Sequence, residues 1–545
     1  MIAAHRPPRV APPAIVRDPD VVAGYLEDAS GTAPGQAAGV ARIESESEAS
    51  ALLQATLASG EAILCQAGRT SLTAGAVPRG EVVVSVERMR AIGPIERNPG
   101  GGRVIVDPGV RLDDLRRALA LHELYYPPVP TYEQARIGGT VSTNAGGAAT
   151  FKYGVTRPWV RALRVVLFDG DVVEVERGEE SARPGEELVV RRTDGSIAHI
   201  PVPRYRLPDV KKLSAGYHAG DPLDLVDLFV GAEGTLGLIT SITLDLVPQP
   251  PGLVTALVFV ADFDRAIGLA AELRRAALAA RAARDRRGPD VRAIEVVDSR
   301  GLALLTAAGD TGRLRVRVPA GAGTAVLLDL ELPERPADGA VEEALLAACE
   351  GTAADTPLAR LLSILRRHAS LDDVELALPG DEARRAALRE LREAVPQRVA
   401  ELLAERRRAA PGLHKVAGDL VVPFERVAEI VRCFEAGFSA RGLDYAIWGH
   451  LSDGNLHPNA LVRDEREVAR GIEALHEFAG EAVRLGGAPL SEHGVGRDPV
   501  KQRMLRRFLG DAAIGEMRAI KRALDPPGRF APGVLFPVTP ATSVP

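Results

Sequence analysis

The chain has 545 residues, 46% of them hydrophobic, and its 67 basic and 73 acidic residues leave a formal net charge of −6. That length exceeds what one hydrophobic core serves, so two or three domains are expected, and charges mixed without single-sign runs argue against a nucleic-acid partner. Three cysteines, Cys65, Cys349 and Cys433, stand far apart without metal-like or redox spacing, which argues against a disulfide framework or cysteine-rich zinc module and suits a reducing compartment. Proline and charge interrupt every apolar stretch of the first twenty residues. No later run reaches the roughly 18 apolar residues of a membrane span, so a soluble, cytoplasmic protein with no transmembrane segment is expected.

From residue 50 to about 250, strand-like runs such as "EAILCQAG", "RVIVDPG", "ALRVVLFDGDVVEVE" and "GLITSITLDLV" alternate with glycine-rich turns and short helical stretches. That pattern predicts a mixed α and β domain. The polar, turn-rich stretch "RGEESARPGEELVVRRTDGSIAHIPVP" reads as a peripheral hairpin or loop inserted at its surface. Residues 262–286 and 381–409 carry Ala, Leu, Arg and Glu at helical spacing and predict surface helices of a second domain. Strand-like "TAVLLDLEL", "KVAGDLVVPF" and "DYAIWGHLSDGNLHPNALV" supply that domain's sheet, and a helical tail from Val500 closes the chain.

Three stretches combine glycine with Ser, Thr and Asn: residues 67–78, 137–154 and 231–240. Accessible backbone N–H groups and short hydroxyls of this kind can cradle a pyrophosphate without lysine. Neither a strand followed by G-x-G-x-x-G nor a G-x-x-x-x-G-K-[ST] loop occurs, so another nucleotide fold is required.

"GRTSLTAGAVP", "VDPGVRLDDL", "YYPPVP", "IGGTVSTNAGG", "KYGVTR" and "GAEGTLGLIT" occur in that order. In this the chain resembles the FAD-linked oxidoreductases of the vanillyl-alcohol oxidase and p-cresol methylhydroxylase (PCMH) type, and among them the D-2-hydroxyacid dehydrogenases. The resemblance implies an α+β fold, a PCMH-type FAD-binding domain with a cap domain built on an antiparallel sheet flanked by helices. Its expected divisions are 1–250 for FAD, 251–485 for the cap and 486–545 for a segment returning to the FAD domain. It implies pyrophosphate contacts from Gly68, Arg69, Thr70, Ser71, Leu72 and Thr73, and further flavin contacts from Gly138, Gly139, Ser142, Asn144, Gly147 and Gly154. Glu233, Gly234 and Ile239 complete the expected cofactor set. Thr70 stands where members with covalently attached flavin carry histidine, so non-covalent FAD is expected.

In "GHLSDGNLH" (449–457) Asp453-Gly454 is a preferred type I′ turn pair. A two-residue loop there would put His450 opposite His457, with Cβ atoms about 4.5–5.5 Å apart, close enough to share a divalent ion or simply to sit as two polar hairpin residues. Glu492 and His493 in "SEHGVG" are candidates for a third ligand or for a solvent-exposed pair. The family resemblance assigns His450, His457 and Glu492 to a divalent ion, zinc foremost, Asn459 to substrate and His493 to the base. It also implies Arg392 and Lys415 as cations for the substrate carboxylate. Ser452 replaces a common glycine, Ala531 a common asparagine, and the cap region 251–380 matches the family poorly.

The chemistry explains such a set. Oxidising a 2-hydroxy acid removes the hydroxyl proton while the C2 hydrogen leaves as hydride to the flavin, and a Lewis acid stabilises the developing alkoxide. Histidine, with an unperturbed pKa of about 6.5, can take that proton. The resemblance therefore implies oxidation of a D-lactate- or D-2-hydroxyglutarate-like small hydroxy acid, an electron acceptor outside the chain, and a homodimer as the assembly to test. The alternative is a transferase resembling alkyldihydroxyacetonephosphate synthase, a group with a histidine-rich stretch where this chain reads "SEHG".

Overall fold

A computed structural model describes the chain except for residues 129, 131, 338, 351–354 and 539–545. Strands Gly39–Arg42, Val82–Ser85 and Ile63–Gln66 pair in that order as a parallel sheet. Val82, Val83 and Val84 are all buried, the continuous apolar run that a parallel strand covered on both faces requires. Helix Glu46–Ser59 connects the first strand to Ile63–Gln66. The Ser45 side chain accepts the Glu48 N–H at its start, and Gly60 ends it at φ 71.

The next sheet is antiparallel, with strands Ile92–Asn98, Gly101–Val106, Leu238–Pro248, Val160–Val166 and Val172–Glu176 in spatial order. Val166, Val172 and Leu238 share a core with Val82, Val84 and Leu52, which joins the two sheets. The glycine-rich segments are connections at their edges. One leaves Ile63–Gln66, one carries the short helices Ile137–Ser142 and Thr150–Tyr153, and one leads into Leu238–Pro248.

Residues 252–460 form an eight-stranded sheet whose pairings are all antiparallel. Thr324–Leu332 lies inside it, buried at every position, because helices such as Phe263–Ala283 and Glu382–Ala409 cover the sheet. Among the described residues no helix is long and apolar enough to cross a membrane.

The polar stretch after residue 177 does form a hairpin, Glu187–Arg191 against Ile197–Pro201, with Gly195 at φ 87 in its turn. It is not peripheral. Leu188, Val190, Ala198 and Ile200 are buried, and helix Pro499–Leu524 packs on its second strand. Beyond that helix, Phe530 bridges to Ile63, and Arg529 donates to the carbonyls of Leu53, Glu61 and Phe168 at 3.3, 2.9 and 3.0 Å.

Asp298 links the second sheet's helical cover to the strand that carries His450. Its carboxylate caps helix Ser299–Ala307 through the Gly301 N–H at 2.8 Å and accepts the Ile447 N–H at 2.7 Å. Burial pushes its pKa up to about 7. The folded state thus keeps a proton that the unfolded chain loses, so this contribution falls as pH rises from the ordinary aspartate range through about 7. Thermal melts should show a steeper loss of stability for the wild type than for Asp298→Asn between pH 5 and about 7. Equal slopes would show that Asp298 is ionised throughout.

Candidate active site between the glycine-rich loops and the histidine hairpin

The three glycine-rich segments meet around a cavity of about 300 Å³. Gly68, Arg69, Thr70, Ser71, Leu72, Gly138, Gly139, Ser142, Glu233, Gly234 and Ile239 line it, together with Glu492 and His493 from the distant C-terminal segment. Thr73, Asn144, Gly147 and Gly154, expected to touch flavin, stand off this wall and shape it. The Thr73 carbonyl accepts the Arg497 N–H at 2.8 Å, and Asn144 spends its amide on the Leu213 carbonyl and the Arg157 N–H. Gly154, at φ 76, ends a short helix. The N–H groups of Gly68 to Ser71 donate to no described residue, and Arg69 takes a left-handed φ of 55°. A concave loop of free donors on an open cavity fits an anionic diphosphate.

Glu233 ties the C-terminal "SEHGVG" segment to this wall. Its two carboxylate oxygens accept the Val495 and Gly496 N–H groups, each at 2.8 Å, and burial pushes its pKa up to about 7. Gly496, at φ 56, has no room for a Cβ against Thr73. The "SEHGVG" loop is thereby strapped onto the cavity.

The hairpin has a different register from the two-residue turn expected. His450 faces Asn455, and it is Trp448 that faces His457. The turn is longer because Leu451–Asp453 forms a 3-10 turn closed by Gly454 at φ 76, where a Cβ would collide with the Val422 carbonyl. Tertiary contacts consume Ser452. It is fully buried, its hydroxyl accepts the Ile294 N–H at 3.2 Å, and Arg274 donates to its carbonyl. His450 and His457 remain on one face as diagonal neighbours, with ring centroids 5.7 Å apart.

The Glu492 carboxylate lies between them. Its Oε1 is 3.3 Å from His450 Nε2, 3.2 Å from His457 Nε2 and 3.4 Å from His493 Nε2. Burial alone would raise its pKa, but Lys212 and His450 hold it well below the usual carboxylate range. His450 Nδ1 meets Glu295 at 2.6 Å. Burial pulls its pKa down, the Glu295 and Glu492 carboxylates together outweigh that, and it stands at about 9. Burial brings His457 down to about 4.

Asp419 supports the other side. Its Oδ2 accepts the N–H groups of Ser491, Glu492 and His493 at 3.4, 3.0 and 2.9 Å and lies 3.3 Å from His493 Nδ1. Among the described residues, Asp419, His457, Glu492 and His493 each offer a ligand atom within 4.8 Å of the others', and His450 stands outside that group, across Glu492. The sequence reading missed Asp419, Glu295 and Lys212. Asp419 lies in the strand-like run "KVAGDLVVPF" without a spacing that marks a ligand; Glu295 carries no local signal, because a strand pairing over 155 positions brings it to His450.

The expected substrate cations are less alike. Arg392 is buried on helix Glu382–Ala409, paired with Glu295 at 2.9 Å, and lines a second cavity of about 600 Å³ with Glu295 and Arg389. Its Nε has no partner. Lys415 precedes strand Val416–Ala417 on neither cavity wall; the surrounding protein, then Lys501, lowers its pKa. Asn459 donates to the His457 carbonyl at 2.9 Å and keeps its buried Oδ1 free of partners.

Glu233→Ala would leave two partly buried N–H groups without acceptors, at about 1–3 kcal/mol each. Denaturant unfolding should show a loss of about 2 kcal/mol or more, together with weaker flavin retention. An unchanged midpoint would mean that the loop holds without the strap.

Residues 250–535 match the family described as FAD linked oxidases, C-terminal domain, and residues 37–176 match the FAD binding domain. The chain is 28% identical to the glycolate oxidase subunit GlcD of Bacillus subtilis over 86% of this chain and 82% of that one. It is 28% identical to the D-2-hydroxyglutarate dehydrogenase of Stutzerimonas stutzeri over 87% and 86%, and 26% identical to the D-lactate dehydrogenase of Anaerostipes hadrus over 85% and 82%. A solved alkyldihydroxyacetonephosphate synthase has a TM-score of 0.60 at 14% identity, over 98% of this chain and 88% of that one, a likeness of fold. With a free-donor loop on the cavity, and with more than half of the sequence matched by the oxidase region behind a FAD-binding segment, the chain belongs to the FAD-linked oxidases.

Proposed function

We propose that the protein oxidises a D-2-hydroxy acid, D-lactate or D-2-hydroxyglutarate in the first instance, to the 2-oxo acid, with non-covalent FAD and a divalent ion, zinc foremost. The observation that carries this reading is the single Glu492 oxygen at the focus of three imidazoles on the rim of the flavin cavity. The donor chemistry favours His450, His457 and Glu492 as the ion's ligands. Glu295 occupies His450 Nδ1 and leaves Nε2 facing inward, the carboxylate–histidine support usual behind a metal ligand. Asp419, although close, has one oxygen spent on three backbone N–H groups and the other on Asn455.

Bound FAD supplies a two-electron acceptor and the bound ion supplies Lewis acidity at the substrate hydroxyl. His493 is the base. Asp419 at its Nδ1 selects the tautomer whose Nε2 can accept the hydroxyl proton, and the ring lines the flavin cavity with 26% of its side chain exposed. Arg392 has spare donors, Asn459 a free carbonyl oxygen, and Lys415 a positive charge for the substrate's carboxylate and polar groups. Electrons leave to an acceptor outside the chain. Glu492, where the synthase-like alternative would carry a histidine-rich stretch, favours oxidation over transfer.

Mixing the anaerobic oxidised protein with D- and L-2-hydroxy acids tests this directly. Flavin bleaching by a D acid and not its L form is expected, to be lost after chelation and restored by zinc. His493→Ala should slow bleaching by about 10²–10⁴-fold with flavin still bound. Failure of every hydroxy acid to bleach the flavin would end the dehydrogenase reading, and bleaching indifferent to chelators would end the metal part alone.

A further inference from the structure

Lys212 has no part in the chemistry above, yet its side chain is 0% exposed and its ammonium lies 2.8 Å from Glu492 Oε2. It comes from the loop that follows the 187–201 hairpin, on the flavin side of the molecule, and reaches into the histidine site. Asp453 Oδ2 of the hairpin turn lies 3.5 Å from the same nitrogen, as does the Gly147 carbonyl. Gly146 makes the passage, since a Cβ there would sit 3.0 Å from Lys212 Cε and 3.2 Å from its Cδ. A wholly buried ammonium is costly unless paired. Here the glycine-rich segment supplies the slot and the opposite half supplies the carboxylates.

The two oxygens of Glu492 are thereby divided. Oε1 lies within 3.2–3.4 Å of all three imidazoles, while Oε2 takes the Lys212 ammonium at 2.8 Å and has one imidazole beside it, His450 at 3.3 Å. We infer that Lys212 is a positioning residue, holding Glu492 by Oε2 so that only Oε1 is presented to the divalent ion. The ion site then reaches its working geometry only when the flavin-side loop is docked on the hairpin and the "SEHG" segment. This rests on the metal reading of the proposed function. It adds a requirement of its own: a cation beside a metal ligand weakens metal binding if it acts by charge alone, and strengthens it if it acts by orientation.

Lys212→Met and Lys212→Gln separate these cases in the flavin-loaded protein. Zinc affinity, from competition with a chromophoric chelator, should fall about tenfold or more in the Met variant. The Gln variant, whose amide can still donate to Oε2, should recover part of it, with flavin content equal to wild type in both. A Met variant that holds flavin and binds zinc as tightly as wild type, or more tightly, overturns the inference. If the Met variant does not fold, a crystal structure of the zinc-loaded wild type decides. Zinc on Oε1 alone with Lys212 still on Oε2 upholds the inference; both oxygens on zinc with Lys212 turned away overturns it and leaves the metal reading standing. A wild type that takes up no divalent ion overturns both.

Discussion

The structure depends on keeping one carboxylate, Glu492, ionised although its side chain is only 12% exposed. Desolvation opposes the charge, and the protein answers with an ammonium on Oε2 and imidazole nitrogens beside both oxygens. Removing one member of such a buried set leaves the rest uncompensated, at about 3–5 kcal/mol, against about 0–1 kcal/mol for the many exposed arginine–carboxylate pairs. The partners come from three distant parts of the chain: Lys212 from the flavin side, His450 and His457 from the cap hairpin, and Glu492 from the C-terminal segment. Satisfying that charge therefore brings the flavin cavity and the histidine site together.

Further contacts give that junction its rigidity. Glu233 grips the Val495 and Gly496 N–H groups, Arg497 reaches the Val77 carbonyl and pairs with Glu81, and Lys152 pairs with Asp290 and Glu331 of the second sheet. Asp419 holds three successive N–H groups of the "SEHG" loop while facing His493. The site's chemistry is thus carried by loops, but its geometry is set by strands and buried carboxylates behind them. That division suits a reaction in which the flavin performs the redox step and the protein mainly positions and polarises.

Much of the fold could be read in advance because its signals are local. The glycine-rich stretches marked the connections that meet around one cavity, and the alternating apolar runs marked strands such as Leu238–Pro248 and Thr324–Leu332. Two readings missed. The Asp453-Gly454 pair suggested a two-residue turn, but burial of Ser452 against Ile294 and Arg274 lengthened the loop and moved His450 from opposite His457 to its diagonal. The polar hairpin looked peripheral, since its apolar residues alternate too sparsely to announce the helix that covers them.

Residue types at short spacing were enough to determine the flavin family, the two histidines near one turn, and the Glu-His pair that joins them. The chemistry of a glycine-rich loop or a hairpin face is local to a few bonds. What only the tertiary structure decided was which carboxylate supports which group: Glu295 behind His450, Asp419 behind His493, Lys212 on Glu492. These partners lie 155, 74 and 280 positions apart along the chain. Electrostatic pairing in a dry interior is set by distance in space, and sequence spacing carries no record of it until sheets and helices have packed.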